Sequence, residues 1–158
     1  MPELPEVETV KRGLSQYLLG QQIQSFIIRE SRLRWPIPKE LPRLLAKQTI
    51  ISIERRAKYL LLQFKHGHLI IHLGMSGVLL VIPREIAAKK HDHVYIIFDQ
   101  HILRYHDPRR FGCILWTDEI PFLHPRLASL GPEPLSRAFN QSYLWKQCQK
   151  RHPVIKSL

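Results

Sequence analysis

Residues 59–83 have the sequence YLLLQFKHGHLIIHLGMSGVLLVIP, which is the strongest evidence in this chain for its fold class. They contain three short apolar runs, at 59–64, 68–73 and 78–82, and the His-Gly-His segment at 66–68 predicts a tight hairpin turn. Similar runs, rich in Ile, Val, Leu, Phe and Tyr, occur at 23–29, 49–55, 94–98, 102–105 and 113–117. Short apolar runs at this density favour an antiparallel sandwich or barrel over alternating β-α-β units.

Helical patterns lie on both sides of the predicted strands. Residues 5–19 carry apolar side chains at helical spacing behind an acidic first turn. A short helix containing Pro42 is predicted at 39–47, and 136–150 predicts a further helix with Ser136 as its cap. We therefore expect a mainly β fold with flanking helices, namely a two-sheet antiparallel β-sandwich with an amino-terminal helix, followed by a partial helical segment.

A Pro-rich segment marks the expected domain boundary. Residues 130–134, Leu-Gly-Pro-Glu-Pro, are typical of a linker. The sandwich domain is therefore predicted at 1–130, and 131–158 is predicted to be a linker and the incomplete start of a helical domain. Since an apolar helical pattern runs up to Leu158, we expect that the chain is cut short within that second domain.

Composition narrows the class of protein. Lys and Arg total 24 against 13 Asp and Glu, which gives a net charge of +11. A surplus of this size is typical of a nucleic-acid binder, and a cationic solubility surface is the alternative. No apolar run approaches the roughly 20 residues of a membrane-spanning helix. The two cysteines, Cys113 and Cys148, lack metal-ligand spacing, and no signal peptide follows Met1, so a cytoplasmic protein without a disulfide framework is expected.

The amino terminus carries the first candidate for chemistry. Removal of Met1 would leave Pro2 with a secondary amine, and an α-amino group has a pKa of about 7.7–8.0, so part of it is nucleophilic near pH 7. Amines of this kind form Schiff bases with sugar or carbonyl carbons, and the neighbouring Glu3 can act as general acid or base. The alternative is an ordinary helix start, where Pro and Glu are also favoured.

His91-Asp92-His93 offers two candidate metal ligands, because alternate residues of a strand point to the same side. A zinc site needs at least a third protein ligand, and the sequence supplies no evident one. No metal site and no cofactor are therefore expected in this chain.

Five motifs in order resemble those of the formamidopyrimidine-DNA glycosylases. The opening Met1–Val10, MPELPEVETV, resembles the family's amino-terminal signature, with Leu4 where the related endonuclease VIII branch usually has Gly. Residues 57–60 (AKYL) resemble the family's lysine turn, and 72–77 (HLGMSG) resemble its first wedge loop. Residues 91–94 (HDHV) resemble the start of a later strand, and 107–112 (DPRRFG) resemble the second wedge loop.

The resemblance implies catalytic roles for three residues. Pro2 would attack C1′ of the damaged nucleotide, and Glu3 would transfer protons during opening of the sugar ring. Lys58 would bind phosphate near the lesion and assist elimination. Glu6 and Lys156 are candidates for the base pocket.

Other residues of the motifs would contact DNA. His72, His91, Arg109 and Arg151 would bind the DNA strands. Met75 and Phe111, together with Arg109, would form an intercalating wedge that fills the space left by a flipped nucleotide. Enzymes that act on a base must remove it from the stack, and apolar wedges offset that cost.

The resemblance predicts a bifunctional glycosylase and AP lyase of base-excision repair, acting on double-stranded DNA with an oxidised purine. The family also carries a complete helix–two-turn–helix domain and usually a zinc finger, whose single zinc this chain lacks the cysteines to bind. Because phosphate contacts dominate affinity, we expect weak or absent excision by this chain alone. Tyr95 and the turn at 99–101 also depart from the family pattern.

Two alternatives remain open from the sequence. One is a non-catalytic, basic DNA-binding remnant. The other is a sandwich protein that meets a protein partner through its incomplete helical end. A monomer is expected, with association through that end as the alternative.

Overall fold

The structure is a computed structural model that describes residues 2–85 and 87–149. The chain divides into two compact units, Met1–Ala128 and Ser129–Leu158. Every strand of the described ranges belongs to the first unit. Within the same ranges, no helix has the length and apolar character needed to cross a bilayer.

Eight strands form the first unit, and all eight match apolar runs predicted from the sequence to within three residues at each end. They are β1 (Ser25–Ile28), β2 (Ser52–Arg56), β3 (Tyr59–Phe64), β4 (Gly67–His72), β5 (Val78–Pro83), β6 (Asp92–Ile97), β7 (His101–His106) and β8 (Cys113–Thr117). The first sheet has the order β1-β6-β7-β5 and the second has the order β2-β3-β4-β8. All pairs are antiparallel, so the predicted two-sheet antiparallel fold is confirmed.

The core contains apolar side chains from alternate positions of both sheets. The second sheet contributes Leu60, Leu62, Leu69 and Ile71, and the first contributes Val94, Ile96, Leu103 and Tyr105. All of these side chains are at most 2% exposed. Truncating one such leucine to alanine costs about 2–5 kcal/mol in typical cores, so this layer fixes the relative position of the two sheets.

The amino-terminal helix α1 spans Leu4–Leu18 and begins one residue earlier than predicted. Its cap explains this start, since the Glu3 backbone N–H donates to the Glu6 carboxylate at 3.0 Å as part of a capping box. Pro5 lies in the first turn, where a missing N–H is tolerated. The buried side chains Val7, Leu14 and Leu18 anchor the helix to the sandwich core.

Two local predictions are wrong in detail. The hairpin turn predicted at 66–68 is instead formed by Lys65 and His66, because Gly67 already pairs with Phe64 in the ladder. A side chain at Gly67 would meet the Trp116 ring and the Thr117 carbonyl, which explains a glycine inside the strand. The helix predicted at 39–47 is the shorter α2 (Leu41–Leu45), with Pro42 in its first turn.

Strand registers gather the connecting loops at one end of the sandwich. In the second sheet, Tyr59 pairs with His72, which in turn pairs with Cys113. The short segments 73–77 and 107–112 then cross from one sheet to the other, joining β4 to β5 and β7 to β8. We call this end of the sandwich the loop end, and it contains residues of the motifs at 57–60, 72–77, 91–94 and 107–112.

A 3-10 helix at Pro121–Leu123 and the short helix α3 (Pro125–Ala128) complete the first unit. The second unit contains α4 (Gln141–Cys148). The predicted cap Ser136 is wrong, because the Asn140 side chain caps α4 by accepting from the Tyr143 N–H at 3.0 Å. Ser136 lies in a preceding turn, where its hydroxyl donates to the Glu133 carbonyl at 2.8 Å.

Candidate active site

The amino-terminal residues meet the lysine turn at the loop end. Glu3 and Lys58 form an ion pair with 2.7 Å between the carboxylate Oε2 and Nζ. Both side chains are partly exposed, so they remain accessible to a ligand. Pro2 directly precedes Glu3 in the chain. The structure therefore brings two of the three predicted catalytic residues into contact, and the third, Pro2, adjoins Glu3 in the sequence.

The lysine turn is held against α1 by a network of ion pairs. The Arg55 guanidinium donates to the Glu8 carboxylate at 2.9 Å and to the Ala57 carbonyl at 2.9 Å. Hydrogen bonds from Lys11 and Arg55, and a weaker contribution from Arg12, lower the pKa of Glu8 from 4.5 to about 2. Glu8 and Arg55 thus connect the first helix to the backbone that carries the catalytic lysine candidate. Sequence reasoning assigned neither residue a role.

His72 ends β4 and is oriented by two contacts. Its Nδ1 accepts a hydrogen bond from the Gly74 N–H at 3.0 Å, and its ring lies 4.7 Å from the Tyr59 ring. Burial, followed by the charges of Lys58 and Arg34, lowers the pKa of His72. A neutral imidazole whose Nδ1 accepts must carry its proton on Nε2. His72 is therefore prepared to donate one hydrogen bond, as a phosphate oxygen requires.

The predicted wedge residues are exposed side chains on the two crossing loops. Met75 is 42% exposed and Phe111 is 44% exposed. The Arg109 guanidinium carbon lies 4.9 Å from the centre of the Phe111 ring. These residues line an open cavity of about 770 Å³, and its wall also contains Arg32, Leu33, Arg34, His72, Gly74 and Arg110. The apolar tips are suited to contact stacked bases, and the positively charged wall is suited to contact phosphates.

Asp107, the first residue of the second crossing loop, accepts hydrogen bonds from both loops. Its side chain is fully buried, and Oδ1 accepts from the Ser76 hydroxyl at 2.6 Å. Oδ2 accepts from the Tyr105 hydroxyl at 3.1 Å and from the Gly112 N–H at 2.9 Å. Burial raises the pKa of Tyr105, so its hydroxyl remains a donor. Asp107 belongs to the motif at 107–112, but no function was predicted for it, although an acidic residue shortly before the basic pair Arg109–Arg110 is a recognisable signal.

Unusual backbone conformations coincide with the motifs. The described residues include four non-glycine positions with positive φ, and three of them are Ala57 (48°), His91 (70°) and Arg110 (57°). Such conformations cost about 1–3 kcal/mol each and cluster at functional sites. The loop end therefore combines strained backbone, exposed apolar tips and positive charge.

The His91-Asp92-His93 motif has mainly structural contacts. His93 is buried and its Nε2 lies 2.7 Å from the Asp107 carbonyl oxygen. Asp92 is buried and accepts from the Tyr95 hydroxyl at 2.6 Å, while the His106 Nδ1 lies 2.8 Å from it. Tyr95 thus helps to satisfy a buried carboxylate. No group of three metal-ligating side chains occurs within 2–85 and 87–149.

The remaining predicted site residues differ in their placement. Glu6 lies in the first turn of α1, where its carboxylate accepts from the Glu3 N–H. His91 lines a groove beside Lys89, Lys90 and Arg110, together with Arg29, Glu30, Asp92 and His93. The predicted residues Arg151 and Lys156 lie outside the residues that the structure describes.

Comparison with known proteins gives the family. Residues 1–114 match the formamidopyrimidine-DNA glycosylase N-terminal domain. The chain is 51% identical to the formamidopyrimidine-DNA glycosylase of Methylococcus capsulatus, covering 99% of this chain and 58% of that protein. It is 52% identical to the enzyme of Escherichia coli O7:K1, again covering 99% of this chain and 58% of the relative. The chain thus spans less than two thirds of the length of these curated relatives.

Solved structures agree with this assignment. The Lactococcus lactis glycosylase bound non-covalently to DNA containing an AP site superimposes with a TM-score of 0.82 at 33% identity, covering 92% of this chain and 57% of that one. The same enzyme with DNA containing an oxidised pyrimidine gives a TM-score of 0.83 at 34% identity, covering 94% and 57%. The chain therefore belongs to the formamidopyrimidine-DNA glycosylase family.

Proposed function

We propose that this chain is the catalytic amino-terminal part of a bifunctional DNA glycosylase and AP lyase. Its substrate would be double-stranded DNA with an oxidised purine, such as 8-oxoguanine or a formamidopyrimidine. The observation that carries this proposal is the ion pair between Glu3 and Lys58, 2.7 Å long, directly beside Pro2 and at the end of the sandwich where the wedge loops lie.

The proposed reaction begins with the amine of Pro2 after removal of Met1. Its lone pair forms a bond to C1′, and the bond from C1′ to the base breaks, with the electron pair leaving on the base. The Glu3 carboxylate takes the proton that the bonded Pro2 amine loses and passes it to the sugar ring oxygen as the bond from C1′ to that oxygen breaks, which leaves a Schiff base on Pro2. Loss of a C2′ proton then expels the 3′ phosphate, and a second elimination expels the 5′ phosphate.

Positive groups at the loop end would hold the phosphates during this sequence. Lys58 would exchange its contact with Glu3 for a phosphate oxygen, which frees the Glu3 carboxylate for proton transfer. His72 would donate from Nε2 to a neighbouring phosphate. Arg109 has the planar donor fork suited to the edge of an unpaired base. His91 would add a contact beside Lys89 and Lys90.

All groups in this scheme come from the protein, so the proposed chemistry requires no cofactor. Cys113, which is buried within the sandwich, and Cys148 are the two cysteines of the sequence, so by themselves they cannot supply a four-cysteine zinc site. The named relatives are bacterial, and chromosomal DNA as substrate would place the protein in the bacterial cytoplasm.

A strand-cleavage assay tests the proposal. Protein verified by mass spectrometry to lack Met1 is incubated with a duplex containing 8-oxoguanine opposite cytosine, and with an abasic-site duplex. We expect cleavage of the abasic duplex that leaves phosphate at both ends of the gap, weak or no cleavage of the 8-oxoguanine duplex, and a sharp loss of cleavage in Pro2→Gly. Equal, salt-sensitive binding to damaged and undamaged DNA without any cleavage would contradict the proposal and favour a non-catalytic DNA-binding protein.

A further inference from the structure

We propose that Asp107 is a positioning residue that joins the two wedge loops into one rigid unit. This inference rests on the proposed function, and it assigns a role to a buried carboxylate that does not touch the cavity surface. Under this proposal Met75 from one loop and Phe111 from the other enter the DNA together.

The ladders hold only the ends of the two loops together, because His72 pairs with Cys113 and Val78 pairs with His106. The loop residues between these ends lie outside the ladders. Residues 73–77 leave β4 and residues 107–112 leave β7, and these strands belong to different sheets. The bond from Ser76 to Asp107 crosses between the loops at 2.6 Å. The Arg109 N–H also approaches the Ser76 hydroxyl oxygen at 3.3 Å. The Ser76 hydroxyl thus accepts a hydrogen bond from the Arg109 N–H and donates one to the Asp107 carboxylate.

Asp107 is bound through its backbone as well as its side chain. Its N–H donates to the His91 carbonyl at 3.1 Å, and its carbonyl lies 2.7 Å from the His93 ring nitrogen. Its carboxylate receives the Tyr105 hydroxyl and the Gly112 N–H. Because these groups are buried, breaking one contact leaves a polar group without water. The carboxylate is therefore held in one position.

Backbone contact between the loops supports a single unit. Gly74 has a φ of 62°, and a side chain there would collide with the backbone of Phe111 and Gly112. A side chain at Gly112 would collide with the Tyr105 hydroxyl and the His72 carbonyl. The loops have no room between them, so displacement of one requires displacement of the other.

A preformed wedge has a direct consequence for recognition. If both tips are already in place, DNA does not have to order them on binding, and less conformational entropy is lost. The benefit arises only where the wedge enters the helix, which is at a site without a stacked base. Asp107 should therefore affect discrimination between abasic and intact DNA, and not general affinity for the backbone.

The test uses Ser76→Ala, which removes the bond between the loops and leaves Asp107 in place, with Ser76→Thr as the matched control that keeps a hydroxyl. The ratio of Kd values for an intact duplex and for one with a stable abasic-site analogue is measured at one salt concentration. We expect Ser76→Ala to lower this ratio about tenfold with the intact-duplex Kd unchanged, and Ser76→Thr to restore it. An unchanged ratio in Ser76→Ala would overturn the inference.

Amide hydrogen exchange of the free protein separates this inference from the proposed function. Ser76→Ala should accelerate exchange in both 73–77 and 107–112 while β3 and β4 stay protected. If the wild-type protein shows no preference for the abasic duplex, the proposed function fails, and exchange alone decides the inference. Acceleration in both loops then supports one rigid unit, and acceleration confined to 73–77 overturns it.

Discussion

Replacing Glu8 by glutamine would remove the ion pairs that tie α1 to the lysine turn while preserving the shape of the side chain. The lowering of its pKa from 4.5 to about 2 sets a ceiling of about 3 kcal/mol on the stabilisation of the ionised form. Glu8 remains 23% exposed and its partners Lys11 and Arg12 are at the surface. Solvent screening therefore reduces the expected loss to about 1 kcal/mol.

The stabilisation by Glu8 should depend on pH. Because the folded-state pKa of Glu8 is lowered, its stabilisation is complete above pH 4.5 and disappears as the pH falls towards 2. Urea unfolding is measured for the wild type and Glu8→Gln at several pH values between 7 and 2, with the exposed Glu85→Gln as a control. The two proteins should differ at pH 7 and converge near pH 2. A difference that is constant over this range, or equal stability at pH 7, would show that the ionised Glu8 carboxylate does not stabilise the fold.

Three further predictions follow from exposure and charge. Met75→Ala should lower the free energy of unfolding in urea by less than about 1 kcal/mol, because the Met75 side chain is 42% exposed. Leu69→Ala, at a fully buried position, should lower it by about 2–5 kcal/mol. Similar losses in the two variants would contradict the assignment of Met75 to the wedge. Cys148 should react with a thiol reagent in the native protein, whereas Cys113 should react only after unfolding, since burial raises its pKa to about 11. Lys58→Ala should reduce the slope of the logarithm of the DNA-binding constant against the logarithm of the salt concentration by about one. An unchanged slope would exclude a phosphate contact by Lys58.

The strands were predictable because each is a short apolar run that contributes to a common core. Alternation places Leu60 and Leu62 inward on β3, and such patterns depend only on neighbouring residues. The helix cap was not predictable in this way. Ser136 and Asn140 both have good capping side chains, and only the backbone conformation at Asn140 determines which of them caps α4.

The site was predictable only in part, because its contacts join residues that are distant in sequence. Motif resemblance identified Lys58 and the exposed tips of the two wedge loops. The bond between Ser76 and Asp107 spans 31 positions, and the bond between Glu8 and Arg55 spans 47. No local sequence pattern predicts a hydrogen bond between residues so far apart in the chain. The buried hydrogen bonds that support the exposed site residues can therefore be identified only from the structure.

Borohydride trapping on an abasic-site duplex tests the central claim most directly, because it requires the amine but no base excision. Protein lacking Met1 is incubated with the duplex at low salt, reduced, digested and analysed by mass spectrometry, alongside Pro2→Gly as the control. We expect a covalent sugar adduct on the peptide that begins with Pro2, and an abolished or sharply reduced adduct on the corresponding peptide of the control at equal protein concentration. An adduct located on a lysine such as Lys58, or no adduct from folded protein that binds the duplex, would contradict the assignment of Pro2 as the nucleophile.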